Sequence, residues 1–231
     1  MELLQNNRSF EGEQRIYRFD SEVLKNSARF GIFLPPQALA GQSCPALFYL
    51  AGLTCTEETF AIKAHAQRLA AQLGLILITP DTSPRGEGVA EGDNWDIGQG
   101  AGFYINATQF PWAEHFQMES FLMNELYPLV NEEFEIQPGK IGIFGHSMGG
   151  HGALVIYLRE AGKFRSASAF SSASVTPRAV KRPSARAFHR APSSWTTRSC
   201  VWHVSSSTCA ACSASRLGCS AVCALCSCVW S

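Results

Sequence analysis

A serine between glycines is the residue whose surroundings point most directly to chemistry. Residues 145–149, Gly-His-Ser-Met-Gly, follow an alternating stretch of β-branched and aromatic residues and precede a helical pattern at residues 150–158. A strand, a sharp turn and a helix in this order place a serine hydroxyl above the edge of a sheet, beside the positive end of the helix. The pattern predicts that Ser147 is a nucleophile. The alternative interpretation is a glycine-rich connection between strand and helix in which the serine has no catalytic role.

Acyl transfer by a serine also needs hydrogen-bond donors for the oxyanion, and backbone N–H groups can supply them. In a strand–turn–helix arrangement one donor is the residue after the nucleophile, here Met148. A second is expected from the turn that ends an earlier strand. Leu53, in the turn Gly52-Leu53-Thr54, is the candidate, with an ordinary strand end as the other interpretation.

The serine further needs a base and an acid that orients the base, and in this arrangement they follow the serine as Asp or Glu and then His. After Ser147 the chain has no aspartate, and its only acid is Glu160. The histidines after the serine are His151, His189 and His203. We interpret His151 as a structural neighbour of the serine and the other two as chance occurrences. The triad Asp and His are therefore not identifiable.

Strands and helices alternate around these residues. Patterns typical of strands occupy residues 8–21, 28–34, 46–50, 75–79, 140–144 and 166–170, and helical patterns occupy 57–73 and 113–132. A glycine-rich loop runs from residue 80 to about 107, a length usually associated with function. An antiparallel start, then alternating strands and helices with a serine elbow, predicts the α/β-hydrolase fold: a mostly parallel central sheet with helices on both faces.

The net charge of zero hides a strong asymmetry along the 231 residues. Residues 1–160 contain all 19 acids but only ten of the 19 basic residues, so they carry −9 and residues 161–231 carry +9. Seven of the nine cysteines lie between Cys200 and Cys228. This break in composition predicts an incomplete α/β-hydrolase domain at residues 1–173 and an aberrant Ser/Ala/Arg/Cys-rich tail at residues 174–231, disordered or poorly packed.

No apolar run is long enough to cross a bilayer, and the first residues lack the apolar core of a signal peptide. The sequence therefore predicts a cytoplasmic protein with no membrane partner.

Four motifs, in order, resemble those of S-formylglutathione hydrolases, the esterase D family. They are FYLAGLTCTEETF at residues 48–60, PDTSPRG at 80–86, DNWDIGQGAGFYINATQ-x-PW at 93–112 and GHSMGGHGAL at 145–154. The resemblance covers about residues 9–171. It implies an α/β-hydrolase that cleaves S-formylglutathione to formate and glutathione in formaldehyde detoxification and also hydrolyses simple esters. It implies no metal and no organic cofactor, no nucleic-acid partner, and a possible homodimer.

The resemblance also assigns roles by motif position. Ser147 resembles the nucleophile, and Leu53 and Met148 resemble the oxyanion donors. Cys55 resembles a cysteine beside the active site that is not itself a nucleophile, and His146 lies near the site as well. A buried small apolar residue is an equally good interpretation of Cys55.

The resemblance ends in the 170s, and the family's Asp and His belong to the C-terminal part that nothing here resembles. Codons for Gly-Glu-Lys-Ala-Phe (GGT-GAA-AAG-GCC-TTC), a run like the family's at this point, give Val-Lys-Arg-Pro-Ser when read one base later. Those are residues 180–184 of this chain. We therefore predict a frameshift between about Ser171 and Val180, and we expect this particular chain to be inactive because the triad Asp and His are absent.

Alternatives remain open at this point. The chain could be a non-catalytic, truncated remnant that binds acyl ligands or partners, or an acyltransferase on the same fold. The paired cysteines Cys209-x2-Cys212 and Cys223-x2-Cys226 have a spacing compatible with zinc, although further cysteines interrupt the pattern. The arginines of the tail are scattered and lack interleaved aromatic residues, so they are poor evidence for nucleic-acid binding.

Overall fold

A computed structural model describes residues 1–171 and the backbone of residues 201–205. The strands are β1 (Glu2–Ser9), β2 (Gly12–Ser21), β3 (Asn26–Leu34), β4 (Cys44–Leu50), β5 (Ile76–Pro80), β6 (Ile136–His146), β7 (Ser166–Phe170) and β8 (Val201–Ser205). The helices are α1 (Pro36–Leu39), α2 (Thr59–Ala64), α3 (Gln67–Leu73), α4 (Met118–Ser120), α5 (Tyr127–Glu133) and α6 (Met148–Arg159). A 3-10 turn covers Trp112–Glu114 and a π-helical segment covers Phe121–Leu126.

The strands form one sheet in the order β1-β2-β3-β5-β4-β6-β7-β8. Its four central strands, β5, β4, β6 and β7, are parallel. Antiparallel strands extend it on both sides, β1 to β3 next to β5 and β8 next to β7. Because parallel strands point the same way, β4, β5 and β6 all end at one edge of the sheet, which we call the carboxyl edge. In α/β sheets this is the edge at which ligands bind.

Helices cover both faces of the sheet. On one face, Ala64 of α2 and Ala70 of α3 belong to an apolar cluster with Tyr49 and Phe144 of the central strands. On the other face, Ile156 of α6 and the helical stretch from residue 118 to 133 join the larger cluster. Central strands covered on both faces must be apolar throughout, which is why they read as continuous apolar runs in the sequence. The predicted fold class is confirmed.

The antiparallel start contains one more turn than the sequence indicated. The strand pattern at residues 8–21 is divided by a hairpin turn at Phe10 and Glu11, both in the left-handed region with φ of 49° and 64°. Two-residue turns of this kind are usually marked by Asn-Gly or Asp-Gly. Phe-Glu carries no such signal, so the hairpin formed by β1 and β2 was not visible in the sequence.

Both long helical patterns are interrupted as well. The pattern at residues 57–73 breaks at His65, whose φ of 48° ends α2 and lets α3 start in a new direction. The pattern at residues 113–132 begins with the 3-10 turn, restarts at Met118 and widens into the π-helical segment. In both stretches the apolar spacing continues across the break, so periodicity alone could not reveal it.

None of the described helices combines the length and the apolarity needed to cross a bilayer. Residues 172–200 and 206–231 fall outside the described residues. The predicted frameshift point, His189 and the paired late cysteines belong to that part of the sequence. His203 is in β8, where its backbone lies opposite Ser168 of β7.

Candidate active site

The serine lies in a strained turn between β6 and α6. Ser147 has φ of 55° and ψ of −117°, a conformation that side-chain-bearing residues seldom adopt and that costs about 1–3 kcal/mol. Two backbone hydrogen bonds fix it. Its N–H donates to the carbonyl of Phe170 in β7 (2.9 Å), and its carbonyl accepts from the N–H of His151 in α6 (3.2 Å). The neighbouring strand and the following helix therefore both set the position of the serine.

The glycines on either side of the serine are required by close packing. A Cβ on Gly149 would lie 1.9 Å from the carbonyl oxygen of Leu50, and one on Gly145 would lie 2.2 Å from the carbonyl oxygen of Gly149. No side chain tolerates such distances from a backbone atom. Because both positions lack a Cβ, the elbow can lie directly against the end of β4.

The turn after β4 lies beside the serine. A Cβ built on Gly52 would be 3.5 Å from the Cβ of Ser147, an ordinary van der Waals distance. The turn is fixed from outside by Thr54, whose N–H donates to the carbonyl of Gly100 (3.0 Å). The end of β4 and the end of β6 are therefore adjacent at the carboxyl edge, in the parallel register that pairs Leu50 with Gly145.

The two predicted oxyanion donors belong to these two adjacent segments. Within the part of the chain that the structure describes, the N–H groups of Leu53 and Met148 donate to no backbone carbonyl. Met148 is the first residue of α6, where backbone N–H groups have no partner inside the helix. Such donors at a helix N-terminus and at the neighbouring strand end can stabilise a negatively charged oxygen on a carbon bonded to the serine.

Cys55 and His146, both predicted near the site, line the same cavity of about 180 Å3. The remaining walls come mainly from the end of β4 and from α2: Tyr49, Gly52, Thr59, Phe60, Lys63 and Ala64. Burial lowers the pKa of His146, which favours the neutral imidazole. The thiol of Cys55 is partly exposed and forms no disulfide.

The acid that follows the serine in the sequence is not near it. Glu160 lies just beyond the far end of α6, a helix of 12 residues that is about 18 Å long. There its carboxylate pairs with Lys163 at 3.0 Å. Glu160 therefore cannot orient a base at Ser147.

His151 is the first histidine after Ser147 in the sequence, and its contacts do not reveal its role. Its Nδ1 atom is buried without a hydrogen-bond partner among the described residues. Burial lowers the pKa of His151, and the positive charge of Arg159 lowers it further. Among the described residues, no histidine is seen to accept a hydrogen bond from the hydroxyl of Ser147.

Sequence reasoning missed a group of charged residues at the same edge. Asp81 directly follows β5 and accepts two hydrogen bonds from Nε of Arg85 (2.9 and 3.1 Å). Glu57 follows β4 at a short distance and is buried; this burial, together with the negative charge of Asp81, raises its pKa. Both acids lie within the quoted motifs, and their placement after two buried strands was the available signal. Among the described residues no group of three or more His, Cys, Asp or Glu could bind a metal.

A serine elbow at the carboxyl edge, beside the turn that ends a neighbouring strand, defines the serine hydrolases of the α/β-hydrolase fold. Sequence comparison places the chain among esterases. The chain belongs to the family described as "Putative esterase", which matches residues 21–216.

The names of individual relatives are more specific than the name of the family. The chain is 50% identical over 169 residues to the mouse protein named S-formylglutathione hydrolase, covering 73% of this chain and 60% of that protein. It is similar in structure to an S-formylglutathione hydrolase from Agrobacterium tumefaciens, with a TM-score of 0.70 and 43% identity over 72% of this chain and 60% of the other. The serine hydrolase FphF of Staphylococcus aureus shares the fold, with a TM-score of 0.53 and 22% identity, covering 67% of this chain and 55% of that chain. The chain thus spans about 60% of the length of the first two relatives.

Proposed function

We propose that the protein is a cytoplasmic serine thioesterase of the S-formylglutathione hydrolase type, which releases formate and glutathione and also hydrolyses simple esters. The observation that carries this proposal is the strained conformation of Ser147 between β6 and α6, with the Gly52-Leu53 turn packed against it. The motifs that surround these residues are those in which the chain resembles S-formylglutathione hydrolases.

In the proposed reaction the hydroxyl oxygen of Ser147 attacks the formyl carbonyl carbon, and the hydroxyl proton passes to a base. The carbonyl oxygen becomes an oxyanion that accepts hydrogen bonds from the N–H groups of Leu53 and Met148. Collapse of this intermediate breaks the C–S bond, and the sulfur takes up the proton as glutathione leaves. Water then attacks the formyl ester on Ser147 and restores the hydroxyl as formate leaves.

We further propose that a chain of this sequence turns over very slowly. Residues 1–173 would form the hydrolase domain, and residues 174–231 would supply neither the base nor its orienting acid. Glu160, the only acid after the serine, lies at the wrong end of α6. Losing the base and the acid removes about 10⁴–10⁶-fold in kcat, because only oxyanion stabilisation and binding remain.

Two proteins test this proposal together. The first is the 231-residue chain. The second is the product of the same gene with the reading frame moved back by one base after Ser171, which restores the family's frame; we call this second protein the frame-shifted product. We expect the frame-shifted product to release formate from S-formylglutathione and the 231-residue chain to be slower by at least about 10⁴-fold.

Ser147→Ala in the frame-shifted product is the control, and it should abolish formate release. Formate release that survives Ser147→Ala would refute the assignment of the nucleophile. Rapid Ser147-dependent hydrolysis of a chromogenic acetate ester by the 231-residue chain would refute its proposed slow turnover.

A further inference from the structure

A second, larger cavity lies along the carboxyl edge from the serine, beside the end of β2, the start of β3 and the loop after β5. It measures about 480 Å3, within the range of small-molecule sites. Its charged lining consists of three arginines and three carboxylates: Arg18, Arg29, Arg85, Glu57, Glu58 and Asp81. A cavity with both signs of charge suits a ligand that carries both an ammonium and a carboxylate.

One of these carboxylates is deeply buried and poorly paired. Glu57 is only 3% exposed, and its backbone is fixed because its carbonyl accepts a hydrogen bond from the hydroxyl of Thr79 (2.7 Å). The ion partner of its carboxylate is Nη1 of Arg29, at 3.9 Å. That distance is too long for a hydrogen bond, and the carboxylate's other interaction among the described residues is with the backbone N–H of Glu57 itself. Burying a charge in this way is costly, and a ligand ammonium beside Glu57 would reduce that cost.

The neighbouring pair differs, because it is already satisfied. The carboxylate of Asp81 accepts both hydrogen bonds from Nε of Arg85, and Nη2 of Arg85 donates to the carbonyl of Cys55 (2.9 Å). This pair therefore serves as a wall that ties the loop after β5 to the turn after β4. Arg18 is paired with Glu2, which leaves Glu57, Glu58 and the half-exposed Arg29 to bind a ligand, and of the two carboxylates only Glu57 is buried.

The cavity lies at the same edge of the sheet as the serine. The N–H of Asp81 donates to the carbonyl of Arg29 (3.2 Å), so Arg29 lies at the level where β5 ends. Ser147 follows β6 at nearly the same level, because Phe48 of β4 pairs with both Ile78 and Ile143. β3 and β6 are three positions apart in the sheet order, and at about 4.8 Å between strands this separates Arg29 from Ser147 by roughly 14 Å.

We propose that Glu57 and Arg29 bind the α-amino-acid group at the γ-glutamyl end of a glutathione thioester, with its ammonium at Glu57 and its carboxylate at Arg29. This inference rests on the proposed function. Eight bonds separate the formyl carbon from that α-carbon, a reach of roughly 9 Å when extended. The attack distance of about 3 Å and the length of the serine side chain account for the remainder. The formyl group then lies at Ser147 while the far end of the substrate is bound in the cavity.

A binding experiment with the full chain tests this assignment without depending on turnover. The probe is S-methylglutathione, a thioether that a serine cannot cleave, titrated calorimetrically. We expect Glu57→Gln and Arg29→Gln each to weaken binding at least tenfold, and Arg68→Gln, an exposed arginine in α3, to leave it unchanged. N-acetyl-S-methylglutathione, which lacks the ammonium, should bind the unaltered chain at least tenfold more weakly and should show no further loss with Glu57→Gln.

Unchanged affinity in both Glu57→Gln and Arg29→Gln would overturn the assignment, and so would tight binding of the acetylated probe. Free glutamate binding as tightly as S-methylglutathione would also overturn it, because the site would then be one for a free amino acid. Since Arg29 is half exposed, Arg29→Gln keeps the test valid if Glu57→Gln disturbs folding. None of these results affects formate release by the frame-shifted product, so failure here is distinguishable from failure of the proposed function.

Discussion

Two neighbouring segments of the carboxyl edge are built in opposite ways. The elbow after β6 has no spare volume, since a single Cβ at Gly149 would overlap the backbone of β4. The segment around Glu57 instead opens on a cavity of about 480 Å3 and contains a buried carboxylate whose ion partner is 3.9 Å away. The elbow has a strained backbone conformation and tight packing, whereas the cavity has a buried charge with a long ion pair. The elbow fixes the backbone of Ser147, and the cavity leaves room for a ligand.

The largest expected effect comes from filling the elbow. Gly149→Ala places a methyl group 1.9 Å from the carbonyl oxygen of Leu50, which belongs to the central strand β4. We expect it to cost at least about 3 kcal/mol of the free energy of unfolding, the upper end for overpacking by one methylene. Urea titration followed by circular dichroism measures this loss.

The matched control is Gly52→Ala, whose added methyl group meets Ser147 at 3.5 Å. It should change the free energy of unfolding by no more than about 0.5 kcal/mol, as a substitution without a steric mechanism does. Equal losses for Gly149→Ala and Gly52→Ala would show that the elbow is no more tightly packed than the turn beside it.

A smaller effect should follow from relieving backbone strain at the serine. Ser147→Gly permits the φ of 55° without steric cost, whereas Ser147→Ala retains the strain and removes only the hydroxyl. We expect Ser147→Gly to be more stable than Ser147→Ala by about 1 kcal/mol, the lower end of the strain cost because glycine also gains entropy in the unfolded chain. A lower melting temperature for Ser147→Gly than for Ser147→Ala would contradict a strained elbow.

The smallest effect concerns the charge in the cavity and depends on pH. Burial and the charge of Asp81 raise the pKa of Glu57 above its ordinary value of 4.5. The stability contributed by the protonated carboxyl is therefore fully present below pH 4.5 and is lost as the pH rises through the raised pKa. Glu57→Gln removes that loss, so it should raise the melting temperature at pH 7 and leave it nearly unchanged at pH 4.

Glu58→Gln, the adjacent exchange in the same chain segment, is the control for a general effect of removing one negative charge. If it raises the melting temperature at pH 7 as much as Glu57→Gln does, burial of the Glu57 charge is not the cause. Differential scanning calorimetry of the three proteins at pH 4 and pH 7 decides between these outcomes.

The same contrast explains what could be read from the sequence. The elbow is a local feature: the turn at Ser147 and the packing at Gly145 and Gly149 each constrain a residue within a few positions of the serine. The buried strands could be recognised in the sequence equally well, because strands covered on both faces must be apolar throughout. Local steric constraints determine which residue types can occupy neighbouring positions, so the fold class and the turn at Ser147 could be predicted.

The cavity could not be read in the same way. Arg29, Glu57 and Asp81 come from three separate parts of the chain and converge only because β3, β5 and β4 are adjacent in the sheet. Strand order is decided by long-range pairing, which no local pattern records. The hairpin at Phe10 and the break at His65 were missed for a related reason. Each has a left-handed conformation at a residue whose type is not a usual signal for a turn.

The hydrogen bond from the serine N–H to Phe170 has a consequence for how the protein is made. The donor and the acceptor are separated by the whole of α6 and by β7, so a nascent polypeptide cannot complete this bond until residue 170 has left the ribosome. Until then the elbow lacks one of the two bonds that fix its backbone. The backbone of Ser147 would thus acquire its final conformation late in translation, after β4, β5 and β6 have been synthesised.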